Sequence, residues 1–183
     1  MQELSLNVLD IVQNSIKARA TVIEISIFID ETLKTMSIEI YDNGCGMTSE
    51  QITQVIDPFY TTRTTRRVGL GVPFFKMSAE MTGGEFEINS TVGVGTVIRS
   101  LYKTDSIDFM PLGDMPATMV SLIAVNPDID FIYTFSVDER RFTLDTREVK
   151  QITEGIAINS PEILSFIKDF LRVNAEEIAT KGQ

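Results

Sequence analysis

Apolar residues recur at two different periods along this chain, and each change of period marks a new element. Over residues 3–18 (ELSLNVLDIVQNSIKA) Leu4, Val8, Ile11, Val12, Ser15 and Ile16 fall at helical spacing, which predicts a helix with one stripe facing a core. From residue 21 the period drops to two. Ile23, Ile25, Ile27 and Ile29 share one face of a strand, with Glu24 and Ser26 on the other. ETLK (31–34) predicts a turn and MSIEIY (36–41) the returning strand of a hairpin. TSEQITQVI (48–56) predicts a short helix, with Thr48 and Gln51 at capping-box spacing and Pro58 after its end. TTRTTRR (61–67) has no apolar period and reads as a loop. GVPFFKMSAEM (71–81) predicts a second long helix, with Pro73 near its first turn and Gly83-Gly84 past its end. GEFEINS (84–90) and TVIRSLY (96–102) predict strands joined by a glycine-containing turn.

The order is helix, two strands, loop, helix, two strands. It predicts an α+β fold: a two-layer α/β sandwich with a mixed, largely antiparallel sheet and helices on one face. Past residue 104 the character changes. TDSIDFMPLGDMP (104–116) holds two prolines, a glycine and three acids, so a linker is expected over 105–116. Beyond it TMVSLIAV (118–125), DFIYTFSV (130–137) and RRFTLD (140–145) read as a three-stranded meander. DTREVKQIT (145–153) and SPEILSFIKDFLRVNAEEIA (160–179) read as helices, the second capped by Ser160 with Pro161 at its first position. The expected organisation is one domain over 1–104 and a small α+β lobe over 117–183.

Composition narrows the function classes. The 183 residues, 43% hydrophobic and 23% charged, fit a globular protein. No apolar run approaches the ~18 residues of a membrane span. The N-terminus lacks a basic start, and Asn7, Asp10 and Asn14 interrupt its apolar residues, so no signal peptide is expected. A single cysteine suits a reducing compartment, and a cytoplasmic location is expected. Net charge is −10 and uneven: 12 acids against 9 bases over 1–104, and 14 against 7 over 105–183. Such a surface repels nucleic acid, which is excluded as the main partner. There is no histidine.

Candidate chemistry clusters in the first domain. Asp10, Asn14 and Lys17 stand at i, i+4 and i+7 and share one helical stripe. That stripe is either a solvated face or the wall of a pocket. In a pocket, the Asn amide oxygen suits Mg²⁺, the Lys ammonium suits phosphate, and the Asp could orient or deprotonate water. In YDNGCGM (41–47), Asp42 closes a strand and is followed by Gly44 and Gly46. Asp42 is either a turn-forming residue or a buried acceptor for an exocyclic amine such as that of adenine. The glycines let the backbone approach a flat ring. Gly69 and Gly71 precede a helix, where free N–H groups favour phosphate, and Gly93, Gly95 and Thr96 precede a strand. From Thr61 to Ala79 there are four bases (Arg63, Arg66, Arg67, Lys76) and no acid, the expected company of a polyphosphate or simply a basic loop. Cys45 has no histidine to activate it and reads as a small filler beside a ligand.

Four blocks together, LDIVQNSIKARAT, DNGCGM, PFYTTRTTRRVGLGV and GVGT, resemble in order the N box, first glycine box, lid with second glycine box, and third glycine box of the GHKL ATPase superfamily. The resemblance covers about residues 1–104. It implies a histidine kinase-like ATP-binding domain with ATP and Mg²⁺ as cofactors. Asn14 would be the Mg²⁺ ligand and Asp42 the adenine-binding acid. Gly44, Gly46 and Met47 would line the base, and Gly69, Leu70 and Gly71 would meet the phosphates, with Lys17, Arg63 and Arg66 as further cofactor-binding residues. Thr96 would lie near the base, and residues 59–68 would form a short lid. The wording of QNSIKARATVIEISI is closest to mismatch-repair and anti-sigma relatives, and that of PFYTTR and GVGT to histidine kinases. Hydrolytic members carry Glu where this chain has Asp10, a base one methylene shorter, and Pro73 removes one possible phosphate donor.

A chain without histidine cannot be its own phosphohistidine acceptor, and no helical dimerisation segment precedes the ATP domain, so a complete sensor histidine kinase is not expected. Three readings stay open: a stand-alone kinase acting on another protein, an ATP/ADP-dependent interaction switch, and a slow ATPase with Asp10 as base. The resemblance points to an unidentified protein partner, either a sigma/anti-sigma-type regulator or a subunit of a redox complex. A homodimer is also open.

Overall fold

The structure is a computed structural model that describes residues 3–58 and 70–180. It contains α1 (Leu4–Lys17), β1 (Val22–Asp30), β2 (Thr35–Asp42), α2 (Ser49–Ile56), α3 (Gly71–Met81), β3 (Glu85–Thr91), β4 (Gly95–Lys103), α4 (Met115–Val125), β5 (Asp130–Val137), β6 (Arg140–Asp145), α5 (Thr146–Ile152) and α6 (Pro161–Thr180). The apolar stripe of α1 is buried as its period requires, through Leu4, Val8, Ile11 and Val12, and so is Ser15. The capping box of α2 forms in both directions: Thr48 Oγ1 accepts from the Gln51 N–H, and Gln51 Oε1 accepts from the Thr48 N–H.

Six strands make one mixed sheet in the order β3-β4-β2-β1-β5-β6. β1 pairs antiparallel with β2 and parallel with β5, while the β2–β4, β3–β4 and β5–β6 pairs are antiparallel. Register aligns one face across the sheet. Ile25 lies opposite Ile40 on one side and Tyr133 on the other, and Ile40 lies opposite Ile98. These residues join α1, α3, α4 and α6 side chains in one hydrophobic core. The opposite face carries Glu24, Arg99 and Thr143, all exposed, and an Arg99–Glu39 ion pair. The α+β two-layer architecture therefore stands, with helices on one face.

Several local expectations are corrected. Residues 118–125 are helix, not strand. A short continuous apolar run does not distinguish the two, and here Asp114 caps the helix by accepting from the Ala117 N–H at 2.8 Å, with Pro116 in the first turn. The meander is thus two strands. These do not build a sheet of their own, because β5 pairs along β1 and continues the first sheet. The segment between β4 and α4 is tied down: the Leu4 and Ser5 N–H groups donate to Pro111 O and Leu112 O at 3.0 and 2.8 Å. α6 begins at Pro161, but Ser160 Oγ is buried without a hydrogen-bond partner, so the expected cap is not made. Asp145 caps α5 instead, and the hydrogen-bonded Arg147 guanidinium holds its carboxyl below the usual range.

Phe131 on β5 is fully buried opposite Ile23 of β1. Phe131→Ala is expected to cost about 3–5 kcal/mol, read as a lowered urea midpoint. Because the sheet is continuous, far-UV circular dichroism and tyrosine fluorescence should lose signal in one common transition. Separate early loss of part of the signal would contradict shared cooperativity.

Candidate functional site

A cavity of about 200 Å³ opens where α1, the end of β2, the start of β4 and the 43–48 loop meet. Ile11, Val55, Val72 and Ile98 give it apolar walls, Asn14, Asp42 and Thr96 are polar groups on its surface, and Gly46 and Met47 supply loop backbone. This mix of apolar wall and few polar anchors is the usual chemistry of a small-molecule site.

Asp42 reaches the cavity because of strand periodicity. Met36, Ile38, Ile40 and Asp42 alternate onto the buried face of β2, so the last inward position carries a carboxylate that is only 6% exposed. A buried charge needs compensation. It comes from two donors: Ser15 Oγ of α1 donates to Oδ2 at 2.6 Å, and the Gly44 N–H donates to Oδ1 at 2.9 Å. An ionised carboxylate offers about four acceptor positions, so lone pairs remain for a donor in the cavity.

The loop sits against the β3–β4 turn at distances that exclude side chains. A Cβ on Gly46, whose φ is +67°, would lie 2.0 Å from Thr91 O. A Cβ on Gly95, with φ of +143°, would lie 1.9 Å from Asp42 O. Backbone bonds lock the approach, with Cys45 N–H on Ala18 O at 2.9 Å and Gly93 N–H on Cys45 O at 2.8 Å. Asn43 pins the base of the loop by accepting from the Thr21 and Val22 N–H groups at 2.8 and 2.9 Å. Ser90 organises the other side. It accepts from the Met47 N–H at 2.8 Å, donates to Gly95 O at 3.0 Å, and lies 2.9 Å from Thr96 Oγ1. Since Ser90 has a single hydroxyl proton, Thr96 is the donor of that third bond. Thr96 therefore keeps only lone pairs for a ligand.

Five of the expected residues, Asn14, Asp42, Gly46, Met47 and Thr96, line this one cavity, and Gly44 stands behind it holding Asp42. Asp10 does not line it. It is exposed and borders a neighbouring groove of about 320 Å³ between α1 and α3, with Leu6, Phe74 and Met77. It does lie against the start of α3, since a Cβ on Gly71 would lie 2.8 Å from Asp10 Cβ. Lys17 is exposed and borders neither space. Residues 10 to 17 span about 10 Å of helix, so a shared stripe crosses several surroundings rather than forming one wall. Gly71 is buried at the start of α3, which has no side-chain cap, and Leu70 is half exposed in a cleft with Ile56 and Pro73. Arg63, Arg66 and Gly69, and the whole of the expected 59–68 lid, lie outside the described residues. Lys76 pairs with Glu80 at 3.8 Å. Sequence periodicity assigned Ser15 to the core stripe and missed its bond to Asp42. The available signal was a hydroxyl on an apolar helix face, which must find a partner.

The chain is 34% identical over 103 residues to a putative sensor protein of Shewanella frigidimarina, covering 55% of this chain and 16% of that protein. It is 32% identical over 94 residues to the sensor histidine kinase YvrG of Bacillus subtilis, covering 49% and 16%. It is 31% identical over 100 residues to sporulation kinase C of the same organism, covering 54% and 23%. The chain thus spans less than a quarter of the length of these relatives. In structure it resembles the N-terminal domain of a DNA repair protein, with a TM-score of 0.55, 14% identity, and coverage of 86% of this chain and 59% of that one. That likeness concerns the fold, and at 86% it includes strands or helices beyond residue 105. Residues 2–105 match the family model described as histidine kinase-, DNA gyrase B-, and HSP90-like ATPase, and the chain belongs to that family.

Proposed function

We propose that the chain binds Mg-ATP in the Asp42 cavity and acts as a regulatory protein of histidine kinase-like type, its engagement of a partner protein set by the bound nucleotide. The observation that carries this reading is Asp42: a buried carboxylate, fixed by two donors, at the end of an apolar cavity sized for a base rather than for a whole nucleotide. An amine satisfies its remaining lone pairs. A carbonyl in the same place would set two desolvated acceptors against each other.

The residues fit the rest of the ligand. Asn14 lines the cavity, and the uncapped start of α3 at Gly71 lies beside Asp10 of the same helix. N–H groups at a helix start favour phosphate. No cluster of three or more histidine, cysteine or acidic residues suited to a metal exists among the described residues. That suits Mg²⁺, which arrives with phosphate oxygens and retained water and needs few protein ligands. Asn14 would hold it through the amide oxygen. Bound Mg-ATP supplies an activated phosphoryl group, while the chain's own residues orient the base and exclude water around it.

Whether that group moves depends on Asp10. Its position beside Gly71 supports a role at the phosphate end, as base in hydrolysis or as an orienting group. Its exposure to solvent favours the orienting role and with it a non-transferring switch. The sequence holds no histidine, so a histidine acceptor would sit outside these 183 residues; an anti-sigma-type regulator or a redox-complex subunit is a candidate partner for the switch.

Titration calorimetry should show Mg-dependent ATP binding, and Asp42→Asn should weaken it about tenfold to a hundredfold, the worth of a hydrogen bond to a charged group. Unchanged affinity in that variant would remove the purine role of Asp42. Asp10→Asn should keep ATP affinity within about twofold; if Asp10 is the base, phosphate release falls by a factor of about a hundred or more, whereas release equal to the parent's assigns the base elsewhere. For the switch, an immobilised partner candidate should retain the ATP-loaded and ADP-loaded protein to different extents, and equal retention would count against nucleotide control.

A further inference from the structure

We infer that Ser15 is a positioning residue for purine selection: by donating its only hydroxyl proton to Asp42, it fixes the carboxylate in the orientation that favours an amine-bearing base. The inference rests on the nucleotide reading above and assigns a role to a residue of the first motif block that the resemblance left without one.

Ser15 is 3% exposed on α1 and lines the cavity beside Asp42. A serine hydroxyl has one proton, and here it lies on Asp42 Oδ2 at 2.6 Å. It is therefore not available to a ligand, and Ser15 acts through Asp42. The terminal torsion of an aspartate is broad and nearly two-fold, so one hydrogen bond leaves the carboxylate room to turn. Two donors from different elements remove that freedom: Ser15 from the helix grips Oδ2, and the Gly44 N–H from the loop grips Oδ1. Thr96, register partner of Asp42 on β4 and itself a donor to Ser90, adds only lone pairs on that side. The buried polar side chains Ser15, Asp42 and Thr96 thus present acceptors and no free donor, which selects a ligand edge that donates. Asn14, the adjacent residue of the same helix, lines the same cavity, so the Ser15 hydroxyl also ties the base-recognising acid to the helix that carries the metal-side amide.

The alternative is that Ser15 only satisfies a buried charge. In that case its loss would weaken the fold and every nucleotide alike. The two are separated by calorimetry on the full chain with Mg²⁺, comparing ATP with purine-riboside triphosphate, which lacks only the 6-amino group. The parent protein should prefer ATP by about tenfold or more. In Ser15→Ala that preference should fall to about a third or less, while the amine-free nucleotide binds within about twofold of its parent affinity. Ser15→Cys, close in volume and with a weak S–H donor, should give an intermediate preference, and it carries the test if circular dichroism shows Ser15→Ala unfolded. An unchanged preference, or an equal loss for both nucleotides, overturns the positioning role and leaves nucleotide binding intact. Failure of the parent to bind either triphosphate overturns the nucleotide reading itself, and this inference with it.

Discussion

The site depends on one buried charge. Asp42 lies at the last inward position of a strand whose other inward residues are Met36, Ile38 and Ile40, a place where an unpaired carboxylate would be strongly unfavourable. It is tolerated because α1 and the glycine loop each bring a donor to it. The same constraint fixes the relative position of helix, strand and loop, so the interaction that makes the charge acceptable also shapes the cavity around it.

Close backbone contact does the remaining shaping. The 43–48 loop is sandwiched between the end of α1 and the β3–β4 turn, bonded to Ala18 on one side and to Gly93 on the other. At Gly46 and Gly95 even a methyl group would collide with carbonyl oxygens, and both positions need the left-handed region that other residues avoid. These glycines matter through the backbone they allow to meet. Ser90 then orders Met47 and Thr96 from behind the cavity.

The later part of the chain explains the character of β1. Its inward residues are isoleucines, and it is bonded on both sides, to β2 and to β5. Without β5, β1 would be an exposed edge with unpaired backbone groups, a liability for strand addition by another chain. Residues 130–145 cover that edge, and α6 closes the core beneath them through Ile167 and Leu171. The structural likeness reaching past residue 105 is consistent with this sharing of one sheet.

Periodicity alone determined most of the local structure. Alternating isoleucines dictated β1 and β2, the 3.6-residue stripe dictated α1, and the Thr48–Gln51 spacing dictated the start of α2, because each depends on neighbours in sequence. The same reading placed Asp42 at a strand end with glycines after it and left its role open, and the resemblance of four ordered blocks pointed to the candidate site. It failed for 118–125, where a continuous apolar run fits helix and strand equally and the Asp114 cap decides. What only tertiary structure decided were contacts between residues far apart in sequence: the parallel pairing of β5 with β1, the bond from Ser15 to Asp42, and the division of the Asp10–Asn14–Lys17 stripe among different surroundings. Such contacts are set by which elements share a core and how closely their backbones approach, and no local spacing encodes that.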